Sequence, residues 1–330
     1  MGNFKAEAAS LPVLYGDTPT IFGKPYVPPA ELAGRADVAV SGVPWEGTIT
    51  WGSWSGCELG PRTIRQASAR YTGFLPEYGV DAFEHLRVVD CGDVVVDMQS
   101  RETTFANIEE RIRQIVRAGV FPATYGGDHS ISYPIIKALT ETLGGPIGVV
   151  HLDAHYDNKD EYDGDPYARC CPFRRVSELE GVRGENMVHV GIRGPRNTKA
   201  QWEYANSIGA TTLSINDIRA RGIDAVIREA WEIASRGTKG VYVSVCSDVL
   251  DAAMNPGGPI DPNGLTTYEL YRALHFAGRQ PNLIGWDMVE VYPPFDPNHT
   301  SSHVAVWALV HLLVGMAERR IETDTGSVHR

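Results

Sequence analysis

Ile147-Gly148-Val149-Val150-His151-Leu152-Asp153-Ala154-His155-Tyr156-Asp157 is the stretch whose reading decides the fold. Its apolar start predicts a buried strand. Side chains alternate faces along a strand, but at its carboxyl end the chain curls and neighbours can converge on one point. Two aspartates and a histidine within five residues there offer hard oxygens and an imidazole, the donors a divalent cation takes. A polar loop capping the next helix would explain one aspartate, but hardly Asp-x-His-x-Asp directly after an apolar run.

Outward from this stretch, strands and helices alternate. Strands are expected at Ala36–Val43, Arg87–Cys91, Val120–Tyr125, Met187–Val190, Thr211–Ile215, Gly240–Val245 and Asn282–Trp286. Phe105, Ile108, Ile112, Ile115 and Val116 fall at helical spacing and predict a helix over Thr104–Ala118, with Gly119 as its stop. Further helices are expected near Thr198–Asn206, Ile223–Ser235, Thr267–Ala277 and Ser301–Ala317. This alternation means a mainly parallel sheet of about eight strands, covered on both faces in a three-layer α/β/α sandwich. Residues 1–35, with Pro25, Pro28 and Pro29, read as an irregular arm of the kind that drapes over a neighbour in an oligomer, and 36–330 as a single domain.

In open parallel sheets ligands lie beyond the carboxyl ends of the strands. Four such ends carry polar clusters: Asp128-His129, Asp153/His155/Asp157, Ser244 to Asp248, and Asp287 to Glu290. Four at one end imply a shared site.

The 330 residues are 43% apolar and 22% charged, enough for an ample core. No apolar run approaches the ~20 residues of a membrane span, and no secretory or lipidation signal opens the chain, so the expected location is the cytoplasm. The five cysteines include no Cys-x-x-Cys and read as reduced thiols. A net charge of −11 argues against a nucleic-acid partner.

With these motifs in view, the chain resembles the ureohydrolase family of arginases, agmatinases and guanidino-acid hydrolases over about residues 36–318. The resemblance rests on Gly-Gly-Asp128-His129-Ser, Asp153-Ala-His155-x-Asp157, Ser244-x-x-x-Asp248-Val-Leu-Asp251 and Asp287-Met-Val-Glu290-Val-x-Pro-Pro-x-Asp296. Asn255-Pro256-Gly257-Gly258-Pro259 looks closer to the agmatinase side. It implies an arginase-like fold, a trimer or hexamer, and a dinuclear Mn²⁺ or Ni²⁺ centre whose bridging hydroxide attacks a guanidinium carbon, releasing urea and an amine. Carried over, the ligands are His129, Asp153, His155, Asp157 and Asp248, and Glu290 holds the substrate guanidinium in paired hydrogen bonds.

Two positions depart from the family pattern. Cys246 stands where a metal-bridging aspartate belongs, offering one soft sulfur in place of two oxygens. Anchoring on Pro172-Phe173-Arg174-Arg175 places Arg169 at the histidine that shuttles a proton to the leaving amine. Arginine does not titrate near neutral pH and cannot do that work. One expectation is that its own guanidinium points at Glu290 and fills the pocket.

Three readings follow. The chain is a non-catalytic or weakly catalytic partner of a complete sister subunit, as in heteromeric guanidine- or biguanide-hydrolysing relatives; or an active dinuclear amidinohydrolase; or a homo-oligomer that senses a guanidine compound through Glu290. Trp51, Trp54, Tyr156, Asn158 and Tyr292 are the expected substrate-choosing residues. His151 is expected to hydrogen-bond beside the site, His189, His275 and His311 to be ordinary core or surface residues, His299 and His303 to be possible outer partners, and Asp251 and Asp296 to fix loops.

Overall fold

The computed structural model describes residues 19–50 and 55–328. Its strands are β1 (Val38–Val43), the short antiparallel pair β2 (Phe74–Leu75) and β3 (Val80–Asp81), β4 (Val88–Asp93), β5 (Phe121–Gly126), β6 (Ile147–Leu152), β7 (Val182–Val190), β8 (Thr211–Leu213), β9 (Val241–Cys246) and β10 (Leu283–Val289). Eight of them form one sheet in the order β4-β1-β5-β10-β9-β6-β7-β8, every pair parallel. The helices are α1 (Gly60–Ser68), α2 (Ala82–His85), α3 (Arg101–Arg117), α4 (Ser132–Leu143), α5 (Pro172–Ser177), α6 (Lys199–Ser207), α7 (Ile215–Arg221), α8 (Ile223–Ser235), α9 (Thr267–Arg279) and α10 (Thr300–Val328).

Alternation along the strands divides the core into two layers. Val241, Val243 and Val245 of β9 face one layer with α1, α8, α9 and α10, while Tyr242 and Cys246 face the other with α3, α4 and α5. This is the expected three-layer sandwich. Helix α3 begins three residues earlier than the apolar spacing suggests, because Ser100 caps it by accepting from Thr103 N at 3.1 Å. Strand β10 runs on to Val289, past the expected Trp286, because Asp287 finds partners inside the sheet. Over Thr300–Asp324, α10 is long and apolar enough to cross a membrane, contrary to the sequence expectation; 83% of its apolar window is buried inside the protein. Residues 19–35 fold back on their own chain: Ile21 N donates to Asp90 Oδ2 and Phe22 N to Ser68 Oγ, with Ile21 and Leu32 fully buried.

Candidate metal centre

Four neighbouring strands, β5, β10, β9 and β6, deliver the site. After β5, Gly127 passes so close to Trp45 that a Cβ would sit 1.8 Å from its carbonyl oxygen, a turn only glycine can make. Asp128 then accepts from Ser130 N at 3.0 Å and starts the turn that aims His129 inward. Asp153, His155 and Asp157 follow β6, Cys246 ends β9 with Asp248 just beyond it, and Glu290 follows β10. Asp157 and Glu290 adopt positive φ, 44° and 63°, a strained state for non-glycine residues that their surroundings enforce. For Glu290 those constraints are Glu290 N to Gly127 O at 2.9 Å and Ser247 Oγ to Glu290 O at 2.6 Å.

The donor atoms of His129, Asp153 and Cys246 lie within 4.8 Å of one another, as do those of Asp153, His155 and Asp248. Asp153 belongs to both groups. His129 Nδ1 is 3.1 Å from Asp153 Oδ2 and 3.1 Å from Asp157 Oδ2. His155 Nδ1 is 3.1 Å from Asp248 Oδ2 and 3.4 Å from Asp153 Oδ1. All six expected ligands therefore converge.

Hydrogen bonding fixes which nitrogen of His129 faces this centre. Ser244 Oγ gives its proton to Asp287 Oδ1 at 2.7 Å, so it accepts from His129 Nε2 at 3.0 Å. Nδ1 then turns toward two carboxylates, fully buried and without a hydrogen bond of its own. Such an atom among anions calls for a cation, and imidazole, carboxylates and a thiol suit a divalent transition metal. Burial lowers the His129 pKa, but Asp153 and Asp157 outweigh it and raise it well above the usual range. Burial also pushes the Cys246 thiol well up, and Asp153 and Asp248 push it further.

Arg169 reaches the same place from the loop before α5. Its guanidinium donates to Tyr292 OH and to Glu46 Oε1 (3.0 Å), lies 3.6 Å from Glu290 Oε2 and 3.9 Å from Asp128 Oδ2, and its Nε reaches Thr48 O at 3.3 Å. The residue is 4% exposed. Glu290 spends its other oxygen on His129 N at 2.8 Å, and Tyr292 OH donates to Oε2. Burial pushes the Glu290 carboxyl up to about 7 against the pull of Arg169. A cavity of about 240 Å³ opens onto His155, Asp157, Cys246, Asp248, Glu290 and Arg169.

Tyr156 and Asn158 are placed elsewhere than expected. Tyr156 is 3% exposed, packs its ring against His189 and accepts from Thr212 Oγ1, and Asn158 Nδ2 donates to Gln201 O at 3.0 Å. Successive residues beyond β6 point to different sides, and these two face the core layer under α5 and α6 instead of the cavity. Trp51 and Trp54 lie outside the described residues. His151 does flank the site, its Nε2 2.9 Å from Asp153 Oδ2. His189, expected to be ordinary, extends that chain through His151 Nδ1 at 2.9 Å; the register that pairs it with His151 across β6 and β7 could have signalled this. His303 instead bonds Tyr71 OH, while Asp251 holds the loop amide of Ala253 and Asp296 the first-turn amide of Ser301 in α10. Glu46 and Asp261, which touch Arg169 and His155, carry no signal in the sequence because each sits alone in a loop. All five cysteines are free.

Residues 36–315 match the arginase family. The chain is 33% identical over 315 residues to guanidinopropionase from Pseudomonas aeruginosa, covering 94% of this chain and 95% of that protein. It superposes on proclavaminate amidino hydrolase from Streptomyces clavuligerus with a TM-score of 0.84 at 28% identity, over 93% of this chain and 99% of that one. Formiminoglutamase from Trypanosoma cruzi, solved with Mn²⁺, gives a TM-score of 0.82 at 25% identity over 92% and 100% of the two chains.

Proposed function

The chain belongs to the arginase family, and on that premise we propose that it is a non-catalytic or weakly catalytic subunit of a metal-dependent guanidine hydrolase. A complete sister chain supplies turnover in a shared trimer or hexamer. The reaction of the assembly adds water across a guanidinium carbon, breaks one C–N bond and yields urea and an amine.

The observation that carries this reading is the position of Arg169. Its guanidinium lies against Glu290, the carboxylate that a substrate guanidinium would need. A second cation brought there must displace Arg169 or bear like-charge repulsion of several kcal/mol. Arg169 also cannot pass a proton to a leaving amine. His129, Asp153, His155, Asp157, Asp248 and Cys246 would hold Mn²⁺ or Ni²⁺. Such ions supply Lewis acidity and an activated water when bound. The chain's own contribution is to hold His129 through Ser244 and Asp287, and to anchor Asp153 through His151.

One observation favours a second reading, an amidinohydrolase active by itself: both donor groups survive around a shared Asp153. Assaying urea release from a panel of guanidine compounds decides between them. The chain alone, supplied with Mn²⁺ or Ni²⁺, is expected to give little or none. Urea should appear once a sister chain with histidine and aspartate at the positions of Arg169 and Cys246 is added. Turnover by the chain alone that equals the turnover of the mixture would establish the second reading.

A further inference from the structure

The two donor groups differ in chemical kind, and this bears on which ion the chain takes. His129, Asp153 and Cys246 combine imidazole, carboxylate and thiol, whereas Asp153, His155 and Asp248 contain no sulfur. Thiolates select soft or borderline cations such as Zn²⁺, Co²⁺ and Cd²⁺, and carboxylates suit Mn²⁺. We propose that the Cys246 group binds one thiophilic divalent cation in preference to Mn²⁺, and that the sulfur-free group is the weaker of the two. This rests on the metal-dependent reading above and specifies its ion.

Three features of the site support it. His129 Nδ1 is fully buried, unpartnered and directed at Asp153 and Asp157. The opposite ring nitrogen is tied through Ser244 to Asp287, the outer support that orients a ligating histidine. Cys246 is 2% exposed at the end of a central strand, so its sulfur is held in place. The shared Asp153 makes the first ion's arrival disfavour a second, because one carboxylate must then serve both. Binding breaks the Cys246 S–H bond, forms a sulfur–metal bond and releases that proton to solvent, with no change of oxidation state.

The test is to strip the full chain with a chelator and titrate Co²⁺ while following the near-ultraviolet thiolate-to-cobalt charge-transfer band. The band should saturate at one ion per chain and survive a ~100-fold excess of Mn²⁺. Cys246→Ser should abolish it, and Cys246→Asp should abolish it and let Mn²⁺ compete. Melting followed by circular dichroism shows that each variant is folded, and if the serine variant is not, the aspartate variant carries the test. Bound Co²⁺ without the band would overturn the proposal, as would a band removed by Cys170→Ser, whose thiol lines the same cavity. The readout is spectroscopic, so it stands or falls apart from any urea assay.

Discussion

Replacing Arg169 by alanine would leave Glu46, Asp128 and Glu290 buried around an empty space. Removing one partner of a buried ion pair costs roughly 3–5 kcal/mol, and that loss is expected here in urea unfolding. Millimolar methylguanidine should restore part of it, since a ligand that binds only the folded state stabilises it. An unchanged unfolding midpoint would mean the guanidinium is not held as described. His189 supplies a prediction in pH. Burial, reinforced by the neighbouring His151, lowers its pKa to about 3, from ~6.5 in an unfolded chain. Between those values the unfolded state binds the extra proton, so stability is complete above pH ~6.5 and falls as pH drops toward 3. The slope from this one group is about 1.4 kcal/mol per pH unit. The difference in stability between the wild-type chain and His189→Asn should follow that slope, and parallel curves would remove His189 from the account.

Helices α9 and α10 meet at two glycines. A Cβ on Gly278 would stand 2.1 Å from Leu312 O, and one on Gly315 would stand 2.3 Å from His275 O. Backbone cannot yield as a flexible side chain does, so Gly278→Ala should cost about 1–3 kcal/mol in chemical denaturation. Metal affinity should stay as it was, the contact lying on the far helical layer. At this scale the sequence was largely readable. Apolar runs place strands, and Asp-x-His-x-Asp after one of them places the centre. The misses share a cause, which is that their partners are distant in sequence. Asp287 looked like the end of a strand because its satisfaction by Ser132, Tyr242 and Ser244 is invisible along the chain. Tyr156 and Asn158 sit inside the motif, yet backbone direction beyond β6 turns them into the core. Glu46 joins the site only because the loop after β1 crosses above β5 and Arg169 arrives from beyond β6.

The whole molecule is a parallel sheet whose carboxyl edge gathers five of the expected ligands with Cys246 in place of the sixth, and then sets its own guanidinium against Glu290. Family membership explains the first feature, and Arg169 with Glu46, Asp128, Tyr292 and Glu290 explains the second. If the chain works beside a sister subunit, light scattering of the mixed chains should show one species of trimer or hexamer mass containing both. Separate homo-oligomers would contradict that arrangement. The most direct measurement is calorimetric titration of methylguanidine into the wild-type chain and into Arg169→Ala. The wild type should give no heat of binding and the variant should bind saturably, because Arg169 already occupies the carboxylates that would receive the ligand. Saturable binding to the wild type, unchanged by the substitution, would contradict it.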